Sequence, residues 1–150
     1  MKQELRNPGD ILFSILNTTY QFLGEKGGGK LLKEWCEYTV EHGLWSGVVE
    51  YTREGGIQGL KKFWDDFLVA EQFPPQDVTT EIVGEREFVM TLKKCHSLNT
   101  LKEIGAQVYG DACLHCVHIC KKMGDLNDYD VDIQYNSNKG TCVRRWIKRK

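Results

Sequence analysis

The chain has 150 residues, of which 41% are hydrophobic and 11% aromatic, so it is long enough to bury a core as one domain. Its 20 Lys and Arg residues balance 21 Asp and Glu residues, and a net charge near zero excludes the strong global field that attracts nucleic acid or an anionic membrane. No apolar run approaches the roughly 20 residues that span a bilayer. The polar start MKQELRNPGD predicts no signal peptide, and we therefore expect a cytoplasmic protein.

Apolar residues at helical spacing predict three helices in the first half of the chain. The first follows an N-cap at Asp10, the second covers about 30–53 and the third about 59–72. Clusters of glycine and proline predict the breaks between and after these helices. The breaks lie at 24–29, 55–56 and 74–75, and Gly43 is expected to bend or interrupt the second helix.

The second half of the chain contains the period-two alternation that is typical of strands. Strands are predicted at 78–83, 88–93, 129–135 and 141–148, with a helical region at 99–123 that is interrupted near Gly110 and stopped by Gly124. This order predicts an α+β fold in which N-terminal helices pack with a four-stranded antiparallel sheet, in the sequence strand–strand–helix–strand–strand. We interpret 1–150 as a single domain with a helical part at 1–76 and a cysteine-rich α+β part at 77–150.

Cysteine is the residue type that carries the functional signal, because five of the six cysteines fall in the last 56 residues. Disulfides are rare in the cytosol, where clustered cysteines more often serve as metal ligands, cluster ligands or nucleophiles. Three interpretations stay open at this point. They are a bound metal or cluster, a catalytic thiol without metal, and free cysteines buried between a helix and the sheet.

Three of these cysteines are expected on one face of a helix. At about 100° per residue, Cys113, Cys116 and Cys120 fall within a sector of roughly 60°. His115 and His118 are expected on the far side, which disfavours a compact zinc motif that uses both histidines.

The strand ends are expected to bring two further thiols to this helical face, because one cysteine follows the second strand and another begins the last. The predicted metal ligands are therefore Cys95, Cys113, Cys116, Cys120 and Cys142. Zinc accepts four thiolates in a tetrahedral shell, and iron–sulfur clusters are also held by four cysteines. The spacing does not choose between these cofactors.

For the thiol without metal, the predicted catalytic residues are Cys113, Cys95 and His96. Cys113 lies near the expected N-terminus of its helix, where the helix dipole stabilises a thiolate. His96 adjoins Cys95 and is the nearest candidate base in sequence.

Residues 88–146 resemble the L-2-amino-thiazoline-4-carboxylic acid hydrolase-like proteins. The features that carry the resemblance are Cys95 after a strand (FVMTLKKCHSL), Cys113 or Cys116 on the following helix (GDACLHC), and Gly140, Cys142 and Arg144 in KGTCVRRW. The resemblance implies hydrolytic opening of a thiazoline ring to give an N-carbamoyl cysteine, or more broadly hydrolytic opening of a ring or C–N bond in a small carboxylate substrate. A looser likeness is to 4-vinyl-reductase-type ligand-binding domains, which pair an α+β fold with cysteine metal ligands.

A carboxylate substrate needs a cation, and Arg144 shares a strand face with Cys142 and Trp146, so it is the predicted substrate-binding residue. Cys116, Cys120 and the histidines between them depart from the hydrolase pattern and favour a variant that binds a metal or cluster. The alternative function is therefore a redox or ligand-sensing protein with a cysteine-ligated iron–sulfur cluster or zinc. The expected partner is a small molecule, with no nucleic acid and no membrane, and surface Trp and Tyr residues of the helical part would suit a homodimer interface.

Overall fold

The structure is a computed structural model that describes residues 8–150; part of the segment on which the signal-peptide prediction rests lies outside these residues. The helices are α1 (Pro8–His42), α2 (Ser46–Ala70), α3 (His96–Glu103) and α4 (Leu114–Leu126), and the strands are β1 (Val78–Val83), β2 (Glu87–Leu92), β3 (Tyr129–Asn136) and β4 (Thr141–Lys148). Within residues 8–150, none of the helices combines the length and the apolar character that crossing a membrane requires.

The two long N-terminal helices are interrupted where glycines predicted a break. Gly28 (φ 63°) and Gly56 (φ 58°) lie in two of the predicted breaks and have non-helical backbone angles, so α1 and α2 each consist of two helical stretches that meet at a kink. A further interruption lies between α1 and α2, after His42. There the backbone N–H groups of Gly43 and Trp45 both donate to the carbonyl of Thr39, at 3.1 and 3.0 Å. The bend predicted at Gly43 is thus where the chain reverses.

The predicted α+β class with a four-stranded antiparallel sheet is confirmed for the described residues, and the strands are ordered β1-β2-β4-β3. The alternation identified the inward face of β2 correctly, since Phe88, Met90 and Leu92 are all almost fully buried. In the ladder between β2 and β4, these residues pair with Trp146, Arg144 and Cys142 respectively. One face of the sheet therefore carries apolar residues, an arginine and a thiol side by side.

This sheet face packs against helices from both parts of the chain. Trp146 lies between Phe88 of the sheet and Trp64 of α2, with ring centroids 5.3 and 5.8 Å apart. Leu60 and Trp64 of α2 and Val40 of α1 are buried in the same core cluster. Burial of these large side chains is the main stabilising contribution to such an arrangement.

The predicted helical region at 99–123 is two helices, α3 and α4, joined by an irregular segment at 104–113. The prediction that Gly124 ends the second of them is wrong, since α4 continues to Leu126. A Cβ atom at position 124 would lie 2.4 Å from Val131 Cγ2 and 2.6 Å from the carbonyl oxygen of Tyr129. Glycine is needed there because α4 approaches β3 too closely for any side chain.

Candidate functional site

A buried arginine surrounded by sulfur lies where the sheet meets α4. Arg144 is only 8% exposed. Its Nη2 donates to Cys116 Sγ at 3.3 Å, its Nε to Cys142 Sγ at 3.4 Å, and its Nη1 to Cys120 Sγ at 3.8 Å. We call Arg144 and these three cysteines the sulfur–arginine cluster.

The strand alternation explains how Arg144 reaches this position. It shares the inward face of β4 with Cys142 and Trp146, as predicted, and its guanidinium carbon lies 5.8 Å from the centre of the Trp64 ring. Within residues 8–150 no carboxylate forms a salt bridge with it. Burial on its own lowers the pKa of this guanidinium, but the charge of Cys116 and its neighbouring thiols raises it well above its usual value. The site therefore holds a permanent buried cation whose counter-charge is a thiolate.

Cys116 is the thiol whose ionisation the site favours. Its Sγ contacts His115 Nε2 and Arg144 Nη2, at 3.3 Å each. Burial on its own raises the pKa of Cys116, but the charges of His115 and Arg144, together with their hydrogen bonds to the sulfur, outweigh it and lower the pKa to about 6. Cys116 is consequently a thiolate at neutral pH, which is the form that acts as a nucleophile.

His115 contacts the thiol of the adjacent Cys116. The prediction that His115 lies on the far side of the helix from the cysteines is therefore wrong. Its ring stacks on the ring of Tyr20 from α1, with centroids 4.3 Å apart and planes 22° apart. This contact holds the imidazole beside the adjacent Cys116 instead of letting it extend outward. The Nδ1 atom is buried and, among the residues described, has no hydrogen-bond partner.

The thiols around Cys116 are harder to ionise than an ordinary cysteine. Burial raises the pKa of Cys120, Cys113 and Cys36 to about 12 each. The Arg144 guanidinium lowers the pKa of Cys120, but it offsets only part of the effect of burial. The negative charge of Cys116 raises the pKa of all three thiols further. One charged thiolate therefore suppresses the ionisation of the thiols around it.

The predicted catalytic residue Cys113 is the N-cap of α4, where the helix dipole was expected to favour its thiolate. Burial and the negative charge of Cys116 outweigh that dipole. Cys113 as nucleophile stays a prediction, while the geometry favours Cys116.

Cys95 and His96 mark the start of α3. The backbone N–H of Cys95 donates to the carbonyl of Gly140 at 2.7 Å, which ties α3 to the turn before β4. Burial raises the pKa of Cys95, although the backbone N–H groups of nearby residues offset part of the effect. The ring of His96 packs edge-on against Phe13 and Phe73, with centroids 6.0 and 5.2 Å away. The structure thus places His96 among aromatic rings, and the imidazole that contacts a thiol is His115.

A cavity of about 100 Å³ opens beside the sulfur–arginine cluster, and Cys95, Cys113, Cys116 and Arg144 all contribute to its wall. The rest of the wall is largely apolar and includes both aliphatic and aromatic side chains. The aromatic residues are Phe13, Tyr20, Trp45, Trp64, Phe67, Phe73 and Tyr135. A thiolate and a guanidinium that converge on an otherwise apolar cavity are typical of a small-molecule site.

The irregular segment at 104–113 borders this cavity and is fixed at both ends. The Asn17 side chain of α1 donates to the carbonyl of Gln107 at 2.8 Å and accepts from the N–H of Tyr109 at 3.1 Å. Tyr135 of β3 donates to Asp111 at 2.6 Å, and Asp111 accepts from the N–H of Cys113 at 3.2 Å. Sequence reasoning missed Asn17, although a buried polar residue on the apolar face of a predicted helix is a usable signal.

The predicted metal ligands are only partly brought together. Of the five, Cys116, Cys120 and Cys142 contact one guanidinium. In the part of the chain that the structure describes, which includes all six cysteines as free thiols, no group of three or more Cys, His, Asp or Glu side chains is arranged to hold a metal ion. The cation that the cluster surrounds is the side chain of Arg144.

The chemistry of the sulfur–arginine cluster is inferred from the contacts of this chain's own residues. Comparison with protein-family models, with curated proteins and with solved structures finds no match.

Proposed function

We propose that this protein is a hydrolase with a cysteine nucleophile, which opens a small cyclic amidine bearing a carboxylate, of the thiazoline-carboxylate kind. The observation that carries the proposal is the position of Cys116 Sγ, 3.3 Å from both His115 Nε2 and Arg144 Nη2, at the wall of the apolar cavity. The resemblance of residues 88–146 to the thiazoline-carboxylate hydrolase-like proteins supports the same substrate class.

Arg144 is suited to bind the substrate carboxylate. A guanidinium has five N–H donors, and three of those on Arg144 donate to sulfur, which leaves two without a partner among residues 8–150. A charged hydrogen bond inside a largely apolar cavity is stronger than the same bond in water. The substrate ring would then lie against the apolar wall, with its amidine carbon near Cys116.

The chemistry balances in two steps. The Cys116 thiolate adds to the ring carbon between nitrogen and sulfur, and the ring carbon–sulfur bond breaks as His115 delivers a proton to the departing sulfur. This leaves an isothiourea between the substrate and Cys116. Water then adds to the same carbon, and the Cys116 thiolate leaves, so that the product is an N-carbamoyl amino acid with a free thiol.

The test is turnover of 2-aminothiazoline-4-carboxylate by reduced protein, with N-carbamoyl cysteine measured by mass spectrometry. We expect Cys116→Ser to lose at least about 10³-fold in rate, as enzymes do when the nucleophile is removed. Cys120→Ser is the matched control, because Cys120 lies on the same helix and contacts the same guanidinium. Equal rates in Cys116→Ser and the unmodified protein would overturn the proposal.

The second proposed function is a cysteine-ligated zinc or iron–sulfur protein of redox or ligand-sensing type, which the clustering of five cysteines in 56 residues supports. Iron, zinc and labile sulfide are measured in protein purified without oxygen. Stoichiometric metal that is lost in Cys116→Ser would favour this function over the hydrolase.

A further inference from the structure

Cys113 and Cys116 have a C-x-x-C spacing at the start of α4, and the proposed hydrolysis uses only Cys116. Cys113 lines the same cavity but contributes no group to that reaction. The proximity of two thiols at a helix N-terminus is a feature of dithiols that undergo oxidation and reduction.

The backbone places the two cysteines three residues apart at the start of the same helix. Cys113 has helical dihedral angles (φ −84°, ψ −16°), and its carbonyl accepts from the N–H of Val117 at 3.2 Å, so both cysteines belong to the first turn. Residues three apart on a helix have Cβ atoms about 5–6 Å apart. A disulfide needs roughly 3.5–4.5 Å. A shift of about 1–2 Å closes the gap, and it falls at a helix end that follows Gly110 and the irregular segment.

The surroundings of Cys116 favour it as the sulfur that is oxidised first. Arg144 Nη2 lies 3.3 Å from its Sγ, so an oxygen added to that sulfur gains a charged hydrogen-bond donor. Cys36, the neighbouring thiol on α1, is 0% exposed and is closed to a solute. Cys113 is half-buried at the cavity wall.

We propose that a peroxide oxidises Cys116 and that Cys113 then forms a disulfide with it, so that the start of α4 is a reversible redox-active dithiol. In the first step the Cys116 sulfur attacks one peroxide oxygen, the O–O bond breaks, and water leaves with a sulfenic acid on Cys116. In the second step the Cys113 sulfur attacks the sulfenic sulfur, and the hydroxyl leaves as water. Two thiols lose two electrons and two protons, and one hydrogen peroxide becomes two waters.

The disulfide removes the sulfur on which the proposed hydrolysis depends, so oxidised protein should have no ring-opening activity. That consequence alone rests on the proposed function. The disulfide itself is detected without any substrate, and the two ideas therefore fail separately.

The experiment adds one equivalent of hydrogen peroxide to fully reduced protein and counts free thiols. We expect the count to fall from six to four and to return to six with dithiothreitol. Chymotrypsin cleaves after Leu114, between the two cysteines, and the peptides on either side should then be joined until reduction.

Cys113→Ser is the variant that tests the order of events. It should accumulate a sulfenic acid on Cys116 that dimedone traps, and excess peroxide should convert it to a sulfinic acid that dithiothreitol does not reverse. Cys95→Ser is the control, since it removes another cavity thiol and should leave the Cys113–Cys116 disulfide intact. Circular dichroism verifies that both variants fold.

Two results would overturn the proposal. One is a disulfide from Cys116 to Cys95, Cys120 or Cys142 in unmodified protein. The other is direct conversion of Cys116 to a sulfinic acid while Cys113 stays reduced.

Discussion

The helical part of the chain (1–76) and the α+β part (77–150) contribute different groups to the site. The α+β part supplies Cys116, His115 and Arg144, which are the groups that the proposed hydrolysis uses. The helical part supplies the surfaces that control them, since Tyr20 holds the His115 ring and Trp64 covers the guanidinium. Two thiols of α4 contact the same arginine, yet the pKa of Cys116 is about 6 and that of Cys120 about 12. What distinguishes them is His115, whose ring lies between Cys116 and α1.

Among the substitutions that compare the two parts of the chain, replacement of Arg144 should have the largest effect on the ring-opening rate. We expect Arg144→Met to lose about 10²-fold or more in ring-opening rate, because the thiolate and the substrate carboxylate both lose their cation. Stability should fall at neutral pH, since Arg144 is the cation that pairs with the buried Cys116 thiolate, and removing one partner of a buried ion pair is destabilising. Arg145→Met is the control on the other face of β4, where the side chain is exposed and 3.6 Å from Glu87. Equal rate losses in the two variants would contradict a specific role for Arg144.

Two helical glycines should respond differently to alanine, one in each part of the chain. Gly124→Ala should destabilise the protein by about 1–3 kcal/mol, because the new Cβ overlaps with Val131 and forces α4 away from β3. In Gly47→Ala the Cβ meets Phe63 at an ordinary 3.5 Å, and alanine favours the helix by up to about 1 kcal/mol. Urea unfolding measures both free energies. Equal changes would show that the contact between α4 and β3 is not close.

The pH dependence should separate Cys116 from the other thiols. The pKa of Cys116 is lowered from an ordinary 9.0 to about 6, so its contribution to stability is present above the ordinary thiol value and is lost as the pH falls through about 6. Activity should follow the thiolate and decrease about tenfold per pH unit below that value.

The thiols whose pKa is raised act in the opposite direction. Cys36, Cys113 and Cys120 stabilise the fold below the ordinary thiol value, and this contribution is lost as the pH rises from 9.0 towards about 12. Thiolate absorbance in the ultraviolet should therefore show one early and several late steps. A single step near the ordinary value would contradict both assignments.

The smallest effect is expected at Tyr20, where two substitutions separate the ring from the hydroxyl. The hydroxyl is buried and, within the described residues, has no hydrogen-bond partner. Tyr20→Phe should therefore change stability by less than about 1 kcal/mol and leave activity intact. Tyr20→Leu removes the stacked ring and should raise the pKa of Cys116, with a rate loss that the pH profile attributes to ionisation. Identical pH profiles in the two variants would mean that the ring does not position His115.

Local patterns in the sequence were sufficient for the sheet and for the glycine interruptions of the long helices, but not for the end of α4. The alternation of Phe88, Met90 and Leu92 depends on burial of one sheet face, which is encoded residue by residue. The end of α4 could not be placed from Gly124, because that glycine is required by the close approach of β3 and not by a helix end.

In the site, too, local patterns predicted some positions, whereas others depend on contacts between residues that are distant in sequence. The alternation correctly placed Arg144 and Cys142 on the inward face of β4. It did not identify Cys116 as the ionised thiol, because that depends on contact between Tyr20 and His115, which are far apart in sequence. The helix starts at Leu114, so Cys113 is its N-cap, but its helical dihedral angles and its place in the cavity wall keep it on the same side as Cys116 and Cys120.

The position of β4 also affects how the protein folds. Among the described elements β4 is the last in sequence, yet it is an inner strand, paired with β2 on one side and β3 on the other. During synthesis, β2 therefore has an unpaired edge until residues 141–148 leave the ribosome. Arg144 arrives with that strand, after α4 and the other three strands, so the cation that lowers the pKa of Cys116 is in place only when the sheet is complete.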